Sequence, residues 1–323
     1  MTRAFLLKNT GKPDNLKAVK LNLADPAANE VRVKNSYVAV SHMDIHHRNG
    51  TYSLSKLPKI IGISGAGTIL KVGTNVKEFK AGEKVVYGTN FIGSYSEEVN
   101  INENCLIGIP DGIPEDIACA TYVPGLTAHY LMYRAYWVRE KNIVLVNGAA
   151  GSIGHILCQW LSSLGVFVIG VVGNDAKISA AKSYGCKFVI NHETEDLAKR
   201  VAEITKNTGV NVIYDCYGKN AFEKNTQTLS TLGLLVNYGD TTGIIDNLDV
   251  TKLWEKCLFY TKPNLSVYKS NRMELILSAE ALYKNIKDKN IRPVFKTINF
   301  NEIPKAHSLI EARKSIGTII ARV

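Results

Sequence analysis

Between residues 147 and 154 the chain reads Asn147-Gly-Ala-Ala-Gly-Ser-Ile-Gly154, with glycines where a backbone must turn tightly from strand to helix. The apolar run Val144-Leu-Val146 precedes this stretch, and Ile153, Ile156, Leu157, Trp160, Leu161 and Leu164 follow it at spacings of three and four. Strand, glycine turn and amphipathic helix are the context of a dinucleotide fingerprint. Gly148 would permit the turn, Gly151 the approach of a pyrophosphate and Gly154 close helix–strand packing. The amides of Gly151, Ser152 and Ile153, next to Ala150, would face the phosphates. The G-x-x-G-x-x-G spacing is a variant, and a tight strand-to-helix turn that binds nothing can be spelled the same way.

About 20 residues further on, at the end of the next strand, a carboxylate for the ribose hydroxyls is the usual sign of NAD. This chain offers Gly173-Asn174 there, with Asp175 just beyond and Lys177 after it. Together with His192 at the end of a third strand, Lys177 suits a 2′-phosphate, so the cofactor expected is NADPH. The alternative is that Asp175 caps a helix and Lys177 lies in solvent.

These residues need a parallel sheet to position them. From Asn142 onward, strand-length apolar runs alternate with helical segments, the pattern of βαβ units: Val144–Val146, Val166–Val172, Phe188–Ile190, Val210–Tyr214 and Leu234–Tyr238 supply five strands. The first third is instead β-rich and punctuated by glycine, as a compact barrel would be. A helix over Arg272–Ile286 and strand-like runs at Val294–Ile298 and Thr318–Val323 fit a return to that first domain. The expected organisation is α/β: a doubly wound domain at 125–264 inserted into a barrel domain built from 1–124 and 265–323.

The composition of the 323 residues sets outer limits: a hydrophobic fraction of 46%, a charged fraction of 21% and a net charge of +10 belong to a globular chain of about two domains. The lysines are scattered, with no basic–aromatic stripe, so nucleic acid is not the expected partner. No apolar stretch approaches the roughly 20 residues that cross a bilayer. The first residues carry only a short apolar run, and the six cysteines form no C-x-x-C pair. A cytoplasmic protein with no membrane partner is the expectation.

The chain resembles the zinc-independent quinone oxidoreductases, the zeta-crystallin-like branch of the medium-chain dehydrogenase/reductase superfamily. The likeness runs from about Asp44 to the C-terminus. It rests on Asp44…Arg48-Asn-Gly50-Thr-Tyr52, Gly62-Ile-Ser-Gly65-Ala-Gly67, Gly125-Leu-Thr127-Ala, the Gly148–Gly154 turn with Cys158-Gln-Trp160, and Val189-Ile-Asn191-His192. Val212-Ile-Tyr-Asp215 and Asn237-Tyr-Gly239-Asp240-Thr-Thr-Gly243 extend it. The resemblance implies a GroES-like barrel carrying an inserted Rossmann domain, NADPH as cofactor, a small-molecule quinone or enone substrate, and a homodimer. It implies that Ser41, Asp44 and Thr127 lie beside the nicotinamide end, and that Ala150, Gly151, Ser152 and Ile153 lie on the pyrophosphate. Gly173, Lys177 and His192 would meet the adenosine phosphate, Tyr238, Gly239 and Asp240 would line the path between, and Asn264 would reach the nicotinamide.

Zinc-dependent relatives need a cysteine shortly before the position of Asp44 and a Gly-His-Glu at the barrel turn. Ser41 and Gly62-Ile63-Ser64 stand there instead, so no metal is expected. The quinone reductases usually carry Asn and Tyr where this chain has Ser41 and His46, which bears on substrate choice. Hydride transfer to a conjugated acceptor leaves negative charge on its oxygen, and Tyr52, His46 and Arg48 are the candidate groups to stabilise it. Each also has a plain structural reading: a barrel-rim aromatic for Tyr52, a solvated pair for His46 and His47, a surface ion-pair partner for Arg48. Reduction of an enal, enone or enoyl thioester double bond on the same scaffold is the alternative activity. An RNA-binding or crystallin-like role is the non-enzymatic alternative.

Overall fold

A computed structural model describes residues 1–323 and separates them into two compact units. The first comprises Met1–Pro124, Lys269–Lys287 and Pro293–Val323, and the second Gly125–Tyr268 with Asp288–Arg292.

In the first unit, β1 (Thr2–Leu7), β2 (Leu16–Leu21), β3 (Glu30–Val40), β4 (Lys59–Ile60), β5 (Gly65–Val72), β6 (Lys84–Tyr87), β7 (Glu98–Asn102) and β8 (Leu106–Gly108) precede the first long helix, and the short helix α1 (His42–Asn49) follows β3. Val31, Val33, Ile69, Val85, Val99 and Ile101 alternate with exposed or half-buried residues and form one core, as period-two strands do. A second core gathers Phe5, Leu7, Val38, Ile45 and Tyr95 with residues near the C-terminus.

The helix α2 (Glu115–Tyr130) follows, with Pro124 inside it. The second unit is a six-stranded parallel sheet of β9 (Ile143–Asn147), β10 (Phe167–Val172), β11 (Phe188–Asn191), β12 (Val210–Asp215), β13 (Leu229–Asn237) and β14 (Phe259–Thr261). Its spatial order is β11-β10-β9-β12-β13-β14. Chain direction across the sheet reverses between β9 and β12, and ligands bind at the carboxyl ends of strands beside such a switch point. The helices of this unit are α3 (Ser152–Ser163), α4 (Ile178–Ser183), α5 (Leu197–Thr205), α6 (Phe222–Thr228), α7 (Thr251–Trp254) and α8 (Leu265–Tyr268).

The sheet has a sixth strand beyond the five expected. β14 has only three residues and stands at the edge, too short for its apolar pattern to register. The boundary also falls later than 265, because α8 stays with the second unit: the Tyr268 ring stacks on Tyr130 at 4.7 Å. Residues 288–292 rejoin that unit, where the Gln159 side chain accepts from the Arg292 amide and donates to its carbonyl at 2.8 and 3.1 Å.

The chain then returns to the first unit through α9 (Arg272–Lys287), β15 (Phe295–Asn299), α10 (Ile303–Glu311) and β16 (Thr318–Arg322). β16 pairs antiparallel with β3 and parallel with β15, and Ile303, Ala306 and Ile310 of α10 complete the core around Ile45.

The closest packing in the second unit is at the glycine turn. A Cβ on Gly154 would stand 2.9 Å from the Ala149 Cα and inside the contact radius of the Gly148 carbonyl oxygen, both of them backbone. Rigid backbone cannot yield as a side chain can, so Gly154→Ala should cost about 1–3 kcal/mol. Gly108 has nothing within 4 Å of its would-be Cβ, and Gly108→Ala is the matched control. Urea unfolding should show a lowered midpoint for the first variant and a shift within about 0.5 kcal/mol for the second.

Candidate active site

The Gly148–Gly154 turn leaves the carboxyl end of β9, the sheet's switch point. Gly148 takes φ +68°, a left-handed conformation, and a Cβ there would meet the Cys216 Sγ at 2.7 Å. Its amide donates to the Tyr217 phenol oxygen at 3.2 Å. No side chain caps α3 at Gly151, and a helix N-terminus is an environment that favours an anion. Ala150 is buried, and Gly151, Ser152 and Ile153 are half-buried around the turn. His155, on the next turn, is a core residue: it bonds the Gly151 carbonyl at 2.9 Å, and burial lowers its pKa to about 4, so it stays neutral.

At the neighbouring strand ends, half-buried Gly173 and His192 adjoin, a Cβ on Gly173 lying 3.4 Å from the His192 Nε2. The His192 ring packs against Tyr217 at 5.1 Å. Lys177 is half-buried in the short 3-10 turn Asp175–Lys177. Asp175 accepts from the Asn191 side chain at 2.8 Å, so it is anchored to the sheet as well as to the helix start. Gly173 and His192 thus adjoin at the ends of β10 and β11, with Lys177 in the turn that follows β10; a lysine and a histidine are donors that fit a phosphate.

Beneath the turn lies a buried polar hub. Asp215, 0% exposed at the end of β12, receives the Tyr217 amide and the Asn147 side chain at 2.9 Å on one oxygen. On the other it receives the Gly218 amide at 3.0 Å and the Asn237 side chain at 3.1 Å. Burial raises its pKa and these four donors oppose the rise. Asn237 extends the hub to Lys262, whose Nζ donates to Asn237 Oδ1 at 2.9 Å and to Asp240 Oδ1 at 2.6 Å. Asp240 is a buried carboxylate, 2% exposed and paired with Lys262. Tyr238 and Gly239 are half-buried on the same loop, and Asn264 is exposed, its Oδ1 capping the Ser266 amide at 2.9 Å. Thr127, on α2, is 5% exposed.

In the first unit the candidates cluster on α1. Ser41 is its half-buried N-cap, and both its amide and its hydroxyl donate to Asp44 Oδ2 at 2.8 Å. Asp44 is wholly buried, and its Oδ1 makes no hydrogen bond of ordinary geometry. Burial raises its pKa to about 6, opposed by the Ser41 bonds and more weakly by the Tyr95 phenol and the Ile63 amide. Asp44 therefore has no exposed surface of its own. Tyr95 in turn bonds His307 Nε2 of α10 at 3.0 Å, and burial takes that imidazole down to about 3.

His46 and the half-buried Tyr52 adjoin, ring centroids 4.7 Å apart, and the Tyr52 amide donates to the His46 carbonyl at 3.0 Å. Arg48 departs from expectation. Its side chain is 2% exposed, and both terminal nitrogens donate to the Glu311 carboxylate on α10. The pair is buried on the arginine side, not the surface pair of the plain reading.

Sequence reading did not single out Tyr95, Tyr217, Lys262 or His307. Each meets its partner across a long stretch of chain, and no local spacing marks such contacts. At the positions a catalytic zinc would need, Ser41 and Ser64 offer only hydroxyls, which do not make a thiolate–imidazole donor set.

The raised pKa of Asp44 has a stability consequence. The folded protein holds this proton more tightly than the unfolded chain, so its contribution is greatest below pH 4 and is lost as pH rises through about 6. The difference between wild type and Asp44→Asn should therefore move by up to about 3 kcal/mol in favour of the variant between pH 4 and pH 7, in urea unfolding. A difference independent of pH would refute the assignment.

Comparison with known proteins agrees with this anatomy. Residues 27–140 match the family model described as alcohol dehydrogenase GroES-like domain, and residues 152–269 that described as zinc-binding dehydrogenase. The chain is 34% identical over 312 residues to quinone oxidoreductase 1 of Escherichia coli (strain K12), covering 95% of each chain. It is 32% identical over 328 residues to a 2-haloacrylate reductase of Burkholderia sp, covering 99% of this chain and 98% of the other. The solved Escherichia coli quinone oxidoreductase complexed with NADPH superposes at a TM-score of 0.97, with 33% identity over the whole of both chains. The chain belongs to the quinone oxidoreductase family of the medium-chain dehydrogenase/reductase superfamily.

Proposed function

We propose that the protein is an NADPH-dependent, zinc-free quinone oxidoreductase. The observation that carries this reading is the uncapped glycine turn at the sheet's switch point with Lys177 and His192 at the adjoining strand ends, in a chain 33% identical to a quinone oxidoreductase solved with NADPH. The amides of Gly151, Ser152 and Ile153 hold the pyrophosphate, Lys177 and His192 hold the 2′-phosphate, and Gly173 leaves room for the ribose. NADPH, when bound, supplies a hydride to an electron-poor acceptor. Tyr52 donates a hydrogen bond to the oxygen that becomes negative, with His46 beside it. Holding the acceptor face-on does most of the rest, since the transfer needs no strong base.

The likeness to a 2-haloacrylate reductase over 99% of the chain supports a second reading, reduction of an activated carbon–carbon double bond. Product analysis with an α,β-unsaturated ketone separates the two: a saturated ketone favours the second. No helix of the protein is long and apolar enough to cross a membrane, and a cytoplasmic homodimer suits the family. The dimer would join at the open edge of β14, where Phe259 is 58% exposed and Trp254 80% exposed.

Loss of the Lys177 cation removes a charge-assisted bond worth about 1.5–3 kcal/mol. Lys177→Ala should thus weaken NADPH binding by about ten- to a hundredfold and leave NADH nearly unchanged, in a fluorescence titration. Equal affinities for the two cofactors in the wild type would overturn the NADPH assignment.

A further inference from the structure

Tyr217, two residues past the end of β12, reaches both sides of the crevice above the switch point of the second unit's sheet. Its backbone is pinned. The amide donates to Asp215 Oδ1 at 2.9 Å, and the carbonyl accepts from the Thr242 amide at 2.8 Å and from the Thr242 hydroxyl at 2.7 Å. On one side its phenol oxygen accepts from the Gly148 amide of the glycine turn at 3.2 Å. On the other its ring packs on the His192 imidazole, with centroids 5.1 Å apart and 57° between the planes. β9 and β10 lie between β12 and β11, a separation of three strand spacings or about 14 Å, so neither side chain spans the gap by itself and the two together close it. The His192 imidazole is thereby oriented. Its Nδ1 lies 3.6 Å from the Glu193 carboxylate, Tyr217 covers the ring, and Nε2 is the atom turned to Gly173, 3.4 Å from where a Cβ would stand.

We propose that Tyr217 is a positioning residue that sets the preference for a 2′-phosphorylated dinucleotide. It acts through His192. The phenol ring holds the imidazole with Nε2 toward Gly173, at the strand end that receives the adenosine ribose, so the donor meets the 2′-phosphate already ordered and little is lost in fixing it on binding. The phenol hydroxyl has a separate effect. Its bond to Gly148 steadies the turn that takes the pyrophosphate, a group that phosphorylated and unphosphorylated dinucleotides share. The ring therefore governs selectivity, and the hydroxyl governs affinity for both kinds of ligand. The proposal rests on the NADPH reading above, and every residue it uses belongs to the second unit.

The test titrates the full-length protein by calorimetry with 2′-phospho-ADP-ribose and with ADP-ribose, which share the adenosine and the pyrophosphate and differ in one phosphate. Tyr217→Phe keeps the ring and should weaken both ligands alike, by about two- to tenfold, the worth of one neutral hydrogen bond, with the preference unchanged. Tyr217→Leu removes the ring and should in addition lower the preference for the phosphorylated ligand by about three- to tenfold. Tyr217→Ile, a second ringless variant, should behave in the same way. His192→Ala should lower the preference by about ten- to a hundredfold. Adding Tyr217→Leu to His192→Ala should lower it no further, because the ring acts through an imidazole already removed. A residue that only supported the fold would weaken both ligands equally in every variant. An unchanged preference in Tyr217→Leu and Tyr217→Ile overturns the proposal, and so do losses of preference that multiply in the double variant. A wild type that binds the two ligands equally overturns the NADPH reading itself, a result distinct from a preference that is present but insensitive to residue 217.

Discussion

Each unit of this protein has a fully buried aspartate, Asp44 in the first and Asp215 in the second, and how that carboxyl group is solvated organises the residues around it. A carboxylate withdrawn from water demands donors, and the number it receives decides whether it stays ionised. Asp215 receives four, two on each oxygen, including the backbone amides of Tyr217 and Gly218. Asp44 receives two at 2.8 Å from Ser41, both on one oxygen, with the Tyr95 phenol and the Ile63 amide contributing more weakly. The first carboxyl ties strand ends together, and the second caps the start of α1.

The consequences of Asp215 spread through the second unit. Its bonds to Asn147 and Asn237 join the carboxyl ends of β9 and β13 across β12, and its bond to the Tyr217 amide sets the residue whose phenol accepts from Gly148. The same Tyr217 ring meets His192, so one buried carboxyl links the glycine turn to the end of β11. Lys262 works at the far side, neutralising Asp240 and bonding Asn237, which holds the loop after β13 against the 215–218 segment. Loosening such a satisfied network would leave several buried groups without partners at once, so its members act together rather than singly.

Much of this was legible in the sequence wherever the signal was periodic or punctuated. The strand runs, the α3 stripe and the Gly148–Gly154 turn follow from local pattern, because a half-buried helix and a close backbone approach restrict residue types over short spans. The edge strand β14 escaped because three residues do not make a period. The roles of Arg48 and Asp240 were not legible, since an isolated charged letter does not say whether its partner is solvent, substrate or a residue far along the chain. Arg48 finds Glu311, 263 positions away, and Asp240 finds Lys262, 22 away. Sequence names the charged groups, and only folding decides which of them neutralise one another.

The same distinction separates what holds a cofactor from what performs chemistry on a substrate. The glycine turn is packed closely on the sheet, so the direction of its backbone amides is fixed and tolerates little change. The candidates of the first unit are instead side chains on or just after an eight-residue helix: Ser41 at its cap, His46 on it and Tyr52 beyond its end. That helix is anchored on its buried side by Ile45 in the core, by the Arg48–Glu311 pair and by Asp44 facing Tyr95, so its exposed positions can change type without moving its axis. The buried anchors determine where Ser41, His46 and Tyr52 stand, and of these three only Ser41 and Tyr52 reach partly to the surface.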